Sequence, residues 1–102
     1  CFQGHTHIPG VFTIAPEFVA AAVGPGTTEV KMVLPSTKAM INVGSVGQPR
    51  DNDPRSCYVI VEDFETVRYR RIQYDMKVTC DKIYNIPELD NFLGDRLLVG
   101  RQ

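Results

Sequence analysis

Short apolar runs alternate with polar or glycine- and proline-rich breaks along residues 1–74, a pattern typical of strands joined by turns. Strands are predicted at Val11–Ala15, Glu29–Leu34, Ala39–Val43, Cys57–Val61 and Thr66–Tyr74. Cys57–Val61 is the most apolar run and predicts a central strand. It is expected to form a hairpin with Thr66–Tyr74, whose mixed Arg and Tyr content predicts an edge or partly solvated strand. Pro16–Val23 predicts at most one helical turn before the Gly24-Pro25-Gly26 break.

The pattern changes to a helical one at Asp75, which can cap a helix over Met76–Tyr84. Pro87 suits the first turn of a second helix, and Gly100 suits its end. The inward faces are predicted to carry Met76, Cys80 and Ile83 in the first helix and Leu89, Phe92, Leu93 and Leu97 in the second. Strands first and helices last predict an α+β fold, mainly strands over 1–74 and helical over 75–102.

The start of the chain looks internal, because it lacks Met and Phe2 leads directly into a strand-like pattern. Residues 1–102 are therefore expected to be the C-terminal part of one domain in a longer chain. With 11 Lys and Arg against 12 Asp and Glu, the net charge is 11 − 12 = −1, which gives no electrostatic case for a nucleic-acid partner. No apolar run approaches the ~20 residues that span a bilayer. Three cysteines without a Cys-x-x-Cys pair favour reduced thiols and a cytoplasmic location.

His5 and His7 are candidate metal ligands, because neutral imidazole commonly binds divalent metals. Residues i and i+2 share a face of a strand, so the two rings would point the same way if the chain is extended there. Gly4 and the Pro9-Gly10 pair argue against a helix. The alternative is a pair of strand-end residues with structural hydrogen bonds.

Candidate substrate contacts lie mainly in the glycine-rich stretch Asn42–Arg50. The backbone N–H groups of Gly44–Gly47 could face a phosphate, or the glycines could relieve strain in a bend, and the sequence favours neither. Arg50 suits a phosphate or an ordinary ion pair, and Asn42 suits a brace or a turn. Asp51–Arg55 is predicted to be a solvated turn, and the arginines of Thr66–Tyr74 a solvated strand face. The candidate substrate-binding set is Gly4, Asn42, Ser45, Gly47 and Arg50.

Two motifs resemble one known family. Gly4-His5-Thr6-His7 resembles the last metal-binding motif, Gly-His-x-His, of the calcineurin-like metallophosphoesterase superfamily. Asn42–Arg50 resembles the Asn-x-Gly-Ser-x-Gly-Gln-Pro-Arg segment of its compact single-domain microbial members, described as phosphodiesterases or diadenosine-tetraphosphatase-like proteins. The resemblance implies a four-layer α/β/β/α sandwich and two divalent ions (Mn, Fe, Zn or Ni), with His5 on one ion and His7 on the other.

The upstream motifs of that family, Asp-x-His, Gly-Asp-x-x-Asp, Gly-Asn-His-Asp/Glu and a further lone His, are not in this sequence. The resemblance therefore implies a metal-dependent phosphoesterase of which this chain supplies metal ligands but no catalytic residue. The expected partners are a phosphoester or nucleotide substrate and the N-terminal half of the same domain, and the 102 residues alone are expected to be inactive. Homo-oligomerisation is left open. The alternatives are a non-catalytic β-rich interaction or regulatory module and an unrelated single-metal His-x-His barrel.

Overall fold

The computed structural model describes residues 1–24 and 26–101, so Pro25 of the predicted break and Gln102 of the helical end lie outside it. The elements are β1 (Phe2–Gln3), β2 (Gly10–Thr13), β3 (Glu17–Ala20), β4 (Glu29–Val33), β5 (Ala39–Asn42), β6 (Ser56–Glu62), β7 (Thr66–Ile72), α1 (Met76–Tyr84) and α2 (Phe92–Val99). They form two β-sheets followed by two helices, which confirms the predicted α+β class. None of the described helices is long and apolar enough to cross a membrane.

The first sheet has four strands in the order β1-β5-β2-β3. Strand β1 runs parallel to β5, and the other neighbours are antiparallel. The helical turn predicted within Pro16–Val23 is wrong, because Glu17–Ala20 is strand β3. Pairing with β2 places Phe18 opposite Phe12, with ring centroids 4.4 Å apart. This cross-strand contact and the strand hydrogen bonds outweigh the helix propensity of the alanines in this segment.

The second sheet is antiparallel, in the order β4-β7-β6. The predicted β6–β7 hairpin is confirmed. The central position predicted for β6 is wrong, because β6 lies at an edge of the described sheet, and β7 is central but partly solvated on one face. The reason is a strict alternation along β7. Val67, Tyr69 and Arg71 are buried, whereas Arg68 and Arg70 are only half-buried, on the other face. The basic residues of β7 concealed this alternation in the sequence.

The core lies between the inner faces of the two sheets. Its buried members include Val11 and Ile41 from the first sheet and Cys57, Val67 and Tyr69 from the second. Full burial of an aliphatic side chain of this size contributes on the order of 1.5–3 kcal/mol. The sandwich therefore fixes β5, and with it the loops that leave its end.

The two helices pack on each other through a small residue. A Cβ at Gly94 of α2 would lie 2.6 Å from the ring of Tyr84 in α1, so any larger residue there would require that ring to move. Helix α1 has the predicted bounds, although Asp75 makes no side-chain capping bond, and Gly100 ends α2 at φ +66°.

The predicted start of the second helix is too early, because the chain turns through 86–91 before α2 begins at Phe92. Leu97 is buried as predicted, whereas Leu89 and Phe92 are exposed. The inward position predicted for those two residues is therefore wrong: Leu89 precedes the helix and Phe92 begins it.

Candidate metal centre

The two sequence motifs leave the same end of the first sheet. Strand β1 runs parallel to β5, with Gln3 opposite Asn42, so both strands end on the same side. The histidine loop (Gly4–His7) follows β1, and the glycine loop (Gly44–Arg50) follows β5. The backbone N–H of Arg50 donates to the carbonyl of His7 at 3.2 Å, so the two loops are hydrogen-bonded to each other. Residues more than 40 positions apart are thereby brought into one site.

The ring of His7 is fixed by the glycine loop. Its Nδ1 lies 2.7 Å from the carbonyl oxygen of Gln48. A carbonyl only accepts hydrogen bonds, so Nδ1 carries a proton, and in the neutral ring this tautomer leaves the lone pair on Nε2. Metal-binding histidines use this arrangement, in which a backbone carbonyl holds one ring nitrogen and the other nitrogen is left for the metal.

The histidine loop is a bend, and the extended chain assumed for it is wrong. His5 has φ +77° and His7 has φ +62°, both in the left-handed region. Non-glycine residues there carry a cost of order 1–3 kcal/mol each, and such strained residues cluster at functional sites. The His5 ring is exposed and the His7 ring is half-buried. The assignment of both rings as metal ligands stays a prediction.

The side chain of Asn42 connects the two loops by hydrogen bonds. It is fully buried, and its Nδ2 donates to the carbonyl of Gly4 at 3.0 Å and to the Thr6 hydroxyl at 2.8 Å. Its Oδ1 accepts from the N–H of Gly44 at 3.0 Å. Both amide protons and the amide oxygen are therefore engaged inside the chain, in the manner of a brace. A direct contact of Asn42 or Gly4 with substrate stays a prediction.

Gly44 forms the bend at the start of the glycine loop. Its φ is +76°, and a Cβ there would lie 2.9 Å from the sulfur of Cys57 and 3.2 Å from Pro9. These contacts account for the glycine without any ligand. The N–H of Gln48 donates to the Ser45 hydroxyl at 2.9 Å, so this N–H is already engaged by a hydrogen bond within the loop. Substrate contacts of Ser45 and Gly47 stay predictions.

Arg50 ends the glycine loop next to His7. Its Nη2 donates to the side-chain oxygen of Gln48 at 3.2 Å, and its Nε is buried without a hydrogen-bond partner within the part of the chain that the structure describes. No carboxylate of the described residues forms an ion pair with Arg50. A guanidinium in this state can still donate hydrogen bonds to an anionic partner.

A second polar cluster follows directly in the sequence. The arginine cluster consists of Asp51, Asp53, Arg55 and Arg71. Arg71 is 1% exposed, hydrogen-bonds to Asp51 and donates to the carbonyl of Arg55 at 3.0 Å. Arg55 holds both oxygens of Asp53, at 3.0 and 2.8 Å. The prediction of a solvated Arg71 is wrong, because it is buried among these carboxylates. The turn predicted at 51–55 is only partly solvated: Asn52 is exposed, but Asp51, Asp53 and Arg55 are half-buried in ion pairs.

The two carboxylates of this cluster titrate in opposite directions. Burial favours the neutral form of Asp53, but hydrogen bonds and charge from Arg55 and Arg71 outweigh it and lower the pKa of that carboxyl. For Asp51, burial dominates over the attraction of Arg71 and raises the pKa. None of the hydrogen bonds or ion pairs of this cluster within the described residues reaches His5 or His7, which fits a structural role.

Sequence reasoning missed Tyr69. Its buried hydroxyl lies 2.9 Å from the carbonyl oxygen of Gly10 and 2.8 Å from that of Asn42, and its single proton serves both. Burial raises the pKa of this phenol, so it stays protonated at neutral pH. Tyr69 thus ties the site end of β5 to the second sheet. The alternation of Val67 and Tyr69 along β7 is the signal that could have located it.

The described residues fit a divalent metal in part. The tautomer of His7 suits a ligand, but the described chain has no group of three or more His, Cys, Asp or Glu side chains that could hold a metal ion. A divalent ion bound by imidazole commonly takes at least three protein ligands. Any metal held here would need further ligands besides His5 and His7.

Comparison with known proteins gives a consistent picture. No family model matches the sequence. The chain is 37% identical over 103 aligned residues to the uncharacterized protein MJ0912 of Methanocaldococcus jannaschii, covering 98% of this chain and 39% of that protein. It also resembles the crystal structure of a metallophosphoesterase from Sphaerobacter thermophilus, with a TM-score of 0.83 and 30% identity, over 98% of this chain and 42% of that one. The chain thus spans about two fifths of both relatives and has a metallophosphoesterase-like fold.

Proposed function

We propose that this chain is the C-terminal part of a metal-dependent phosphoester hydrolase and that His5 and His7 are metal ligands in it. The contact of His7 Nδ1 with the Gln48 carbonyl carries the proposal, because it leaves Nε2 free in the tautomer that a metal needs. The left-handed backbone at both histidines and the metallophosphoesterase-like fold support it.

In this proposal the histidine loop binds the metal ions, and the glycine loop orients His7 and contacts the phosphate. Two divalent ions (Mn, Fe, Zn or Ni), one on His5 and one on His7, would supply an activated water and neutralise phosphate charge when bound. Gln48 holds the proton at His7 Nδ1. Arg50 is the candidate for a phosphate oxygen, because its guanidinium lacks an anionic partner among the described residues.

The remaining ligands would come from the N-terminal half of the same domain. The chain aligns with 39% and 42% of its relatives, so a larger part of each has no counterpart in it. We therefore expect the 102 residues alone to be inactive and to bind metal weakly. The substrate class, whether monoester, diester or dinucleoside polyphosphate, is open in this proposal.

The test uses the full-length protein that contains this chain, purified with Mn²⁺. Its metal content is measured, together with its rate of hydrolysis of bis(p-nitrophenyl) phosphate and of a panel of nucleotides. His7→Ala should lower bound metal and rate together, by more than about tenfold. Lys77→Ala, at an exposed position of α1, is the control and should change neither. Unchanged metal content and rate in His7→Ala would contradict the ligand assignment. Absence of metal and of hydrolysis in the wild type would favour the non-catalytic module.

A further inference from the structure

We propose that Asn42 is a positioning residue, which sets the metal affinity of His5 and His7 by holding the histidine loop in its left-handed bend. This inference rests on the proposed function for its ligand, but its structural half stands on the hydrogen bonds alone. Asn42 touches neither imidazole. It acts through Gly4 and Thr6, the residues before and after His5.

The contacts of Asn42 define the path of the histidine loop. One amide proton reaches the carbonyl of Gly4 and the other reaches the hydroxyl of Thr6, so both ends of the His5 bend are held by one side chain. Thr6 N–H also donates to the Gly4 carbonyl at 3.1 Å, which closes the bend. Because His5 and His7 carry positive φ values, this path is not the one the backbone would choose without such contacts.

The brace is itself immobilised. Asn42 is 0% exposed, its Oδ1 is engaged by Gly44 N–H, and its backbone carbonyl accepts from Tyr69 of the opposite sheet. The side-chain amide therefore has one orientation, fixed by an acceptor on one side and a donor on the other. A rigid second layer of this kind is what orients metal-binding side chains in known sites.

The chemistry at residue 42 is specific to an amide. An aspartate of the same shape could still accept from Gly44, but it has no proton for Gly4 or Thr6 and would face a carbonyl oxygen. Asn42→Asp thus removes the bond to the Gly4 carbonyl and places a carboxylate against that oxygen, whereas the Thr6 hydroxyl can turn to donate to the carboxylate and the bond from Gly44 is kept. Thr6→Val removes the hydroxyl that accepts from Asn42 Nδ2, and Thr6→Ser keeps that hydroxyl.

The experiment measures Mn²⁺ affinity of the full-length protein by calorimetry, and thermal unfolding of the metal-free protein separately. Asn42→Asp and Thr6→Val should each weaken Mn²⁺ binding about 10- to 100-fold, and the double variant should fall short of the sum of the two effects. Thr6→Ser should retain wild-type affinity. Asn91→Ala is the matched control, since Asn91 is exposed and its side chain makes no capping bond.

Lower thermal stability with unchanged Mn²⁺ affinity in both variants would overturn the proposal and leave Asn42 a purely structural residue. If Asn42→Asp does not fold, Thr6→Val decides alone. If the wild type does not bind Mn²⁺, or His7→Ala binds as well as wild type, the proposed function fails instead. The positioning role is then read from the ¹⁵N shifts of the two imidazoles in the metal-free protein. Loss of the Nδ1-protonated form of His7 in Thr6→Val would support it, and unchanged shifts would overturn it.

Discussion

The glycine loop and the arginine cluster are neighbours in the sequence but satisfy their polar groups in opposite ways. In the arginine cluster, two guanidinium groups and two carboxylates neutralise one another within the chain. The glycine loop and its histidine partner are held together by a neutral amide and by main-chain groups. The guanidinium of Arg50 has no carboxylate partner among the described residues. A self-neutralised cluster suits a structural role, whereas a site braced by neutral groups leaves the Arg50 guanidinium without a carboxylate partner among the described residues, as the proposed function requires.

The largest effect should come from breaking the arginine cluster. Arg71→Met keeps much of the buried stem but leaves Asp51 without its guanidinium, and removing one partner of a buried ion pair costs about 3–5 kcal/mol. Urea unfolding of the full-length protein should show this loss, while the Mn²⁺ affinity of the folded fraction stays unchanged. A weakened Mn²⁺ affinity without a loss of stability would contradict the separation of the two clusters.

A smaller loss is expected from Gly44→Ala. The added Cβ would approach the sulfur of Cys57, and the residue would have to keep φ +76°. Strained and overpacked substitutions of this kind cost about 1–3 kcal/mol. Because Gly44 also donates to Asn42, metal affinity should fall together with stability, as measured by calorimetry and urea unfolding. Gly47→Ala is the control, since a Cβ there meets no atom within 4 Å and φ is not positive. Equal stability of the two variants would refute the bend assignment.

The smallest effect concerns acid pH. The pKa of Asp53 in the folded state lies below its ordinary value of 3.8, so its ionised form adds stability that is fully present above that pH and is lost as pH falls through the lower folded value. The pKa of Asp51 is raised, so its ionisation opposes folding and protonation relieves that cost. A ¹³C titration of the carboxyl groups should find Asp53 below and Asp51 above 3.8. If the pKa values of both carboxyls lay on the same side of 3.8, the assigned pairing of Asp53 with Arg55 and of Asp51 with Arg71 would be contradicted.

Local patterns predicted the elements well where neighbours along the chain decide the structure. Strands β2, β4 and β5 and helix α1 lie where periodicity and turn residues predicted them. Gly100 ends α2 in the left-handed conformation, which glycine adopts without a Cβ penalty. The sequence indicates Gly4–His7 and Asn42–Arg50 as two separate motifs, and in the structure hydrogen bonds join these two stretches.

Pairing across the sheets decided the rest. The central position of β7, the strand at β3 and the buried Arg71 depend on partners far away in the sequence, such as Asp51 for Arg71. The sequence by itself determined which residues could bind a metal, because imidazole chemistry belongs to the side chain. Only the tertiary structure decided that His5 and His7 lie in a left-handed bend hydrogen-bonded to Asn42 and that the Gln48 carbonyl accepts from His7 Nδ1. Hydrogen bonds between distant backbone segments leave no periodic trace in a single sequence.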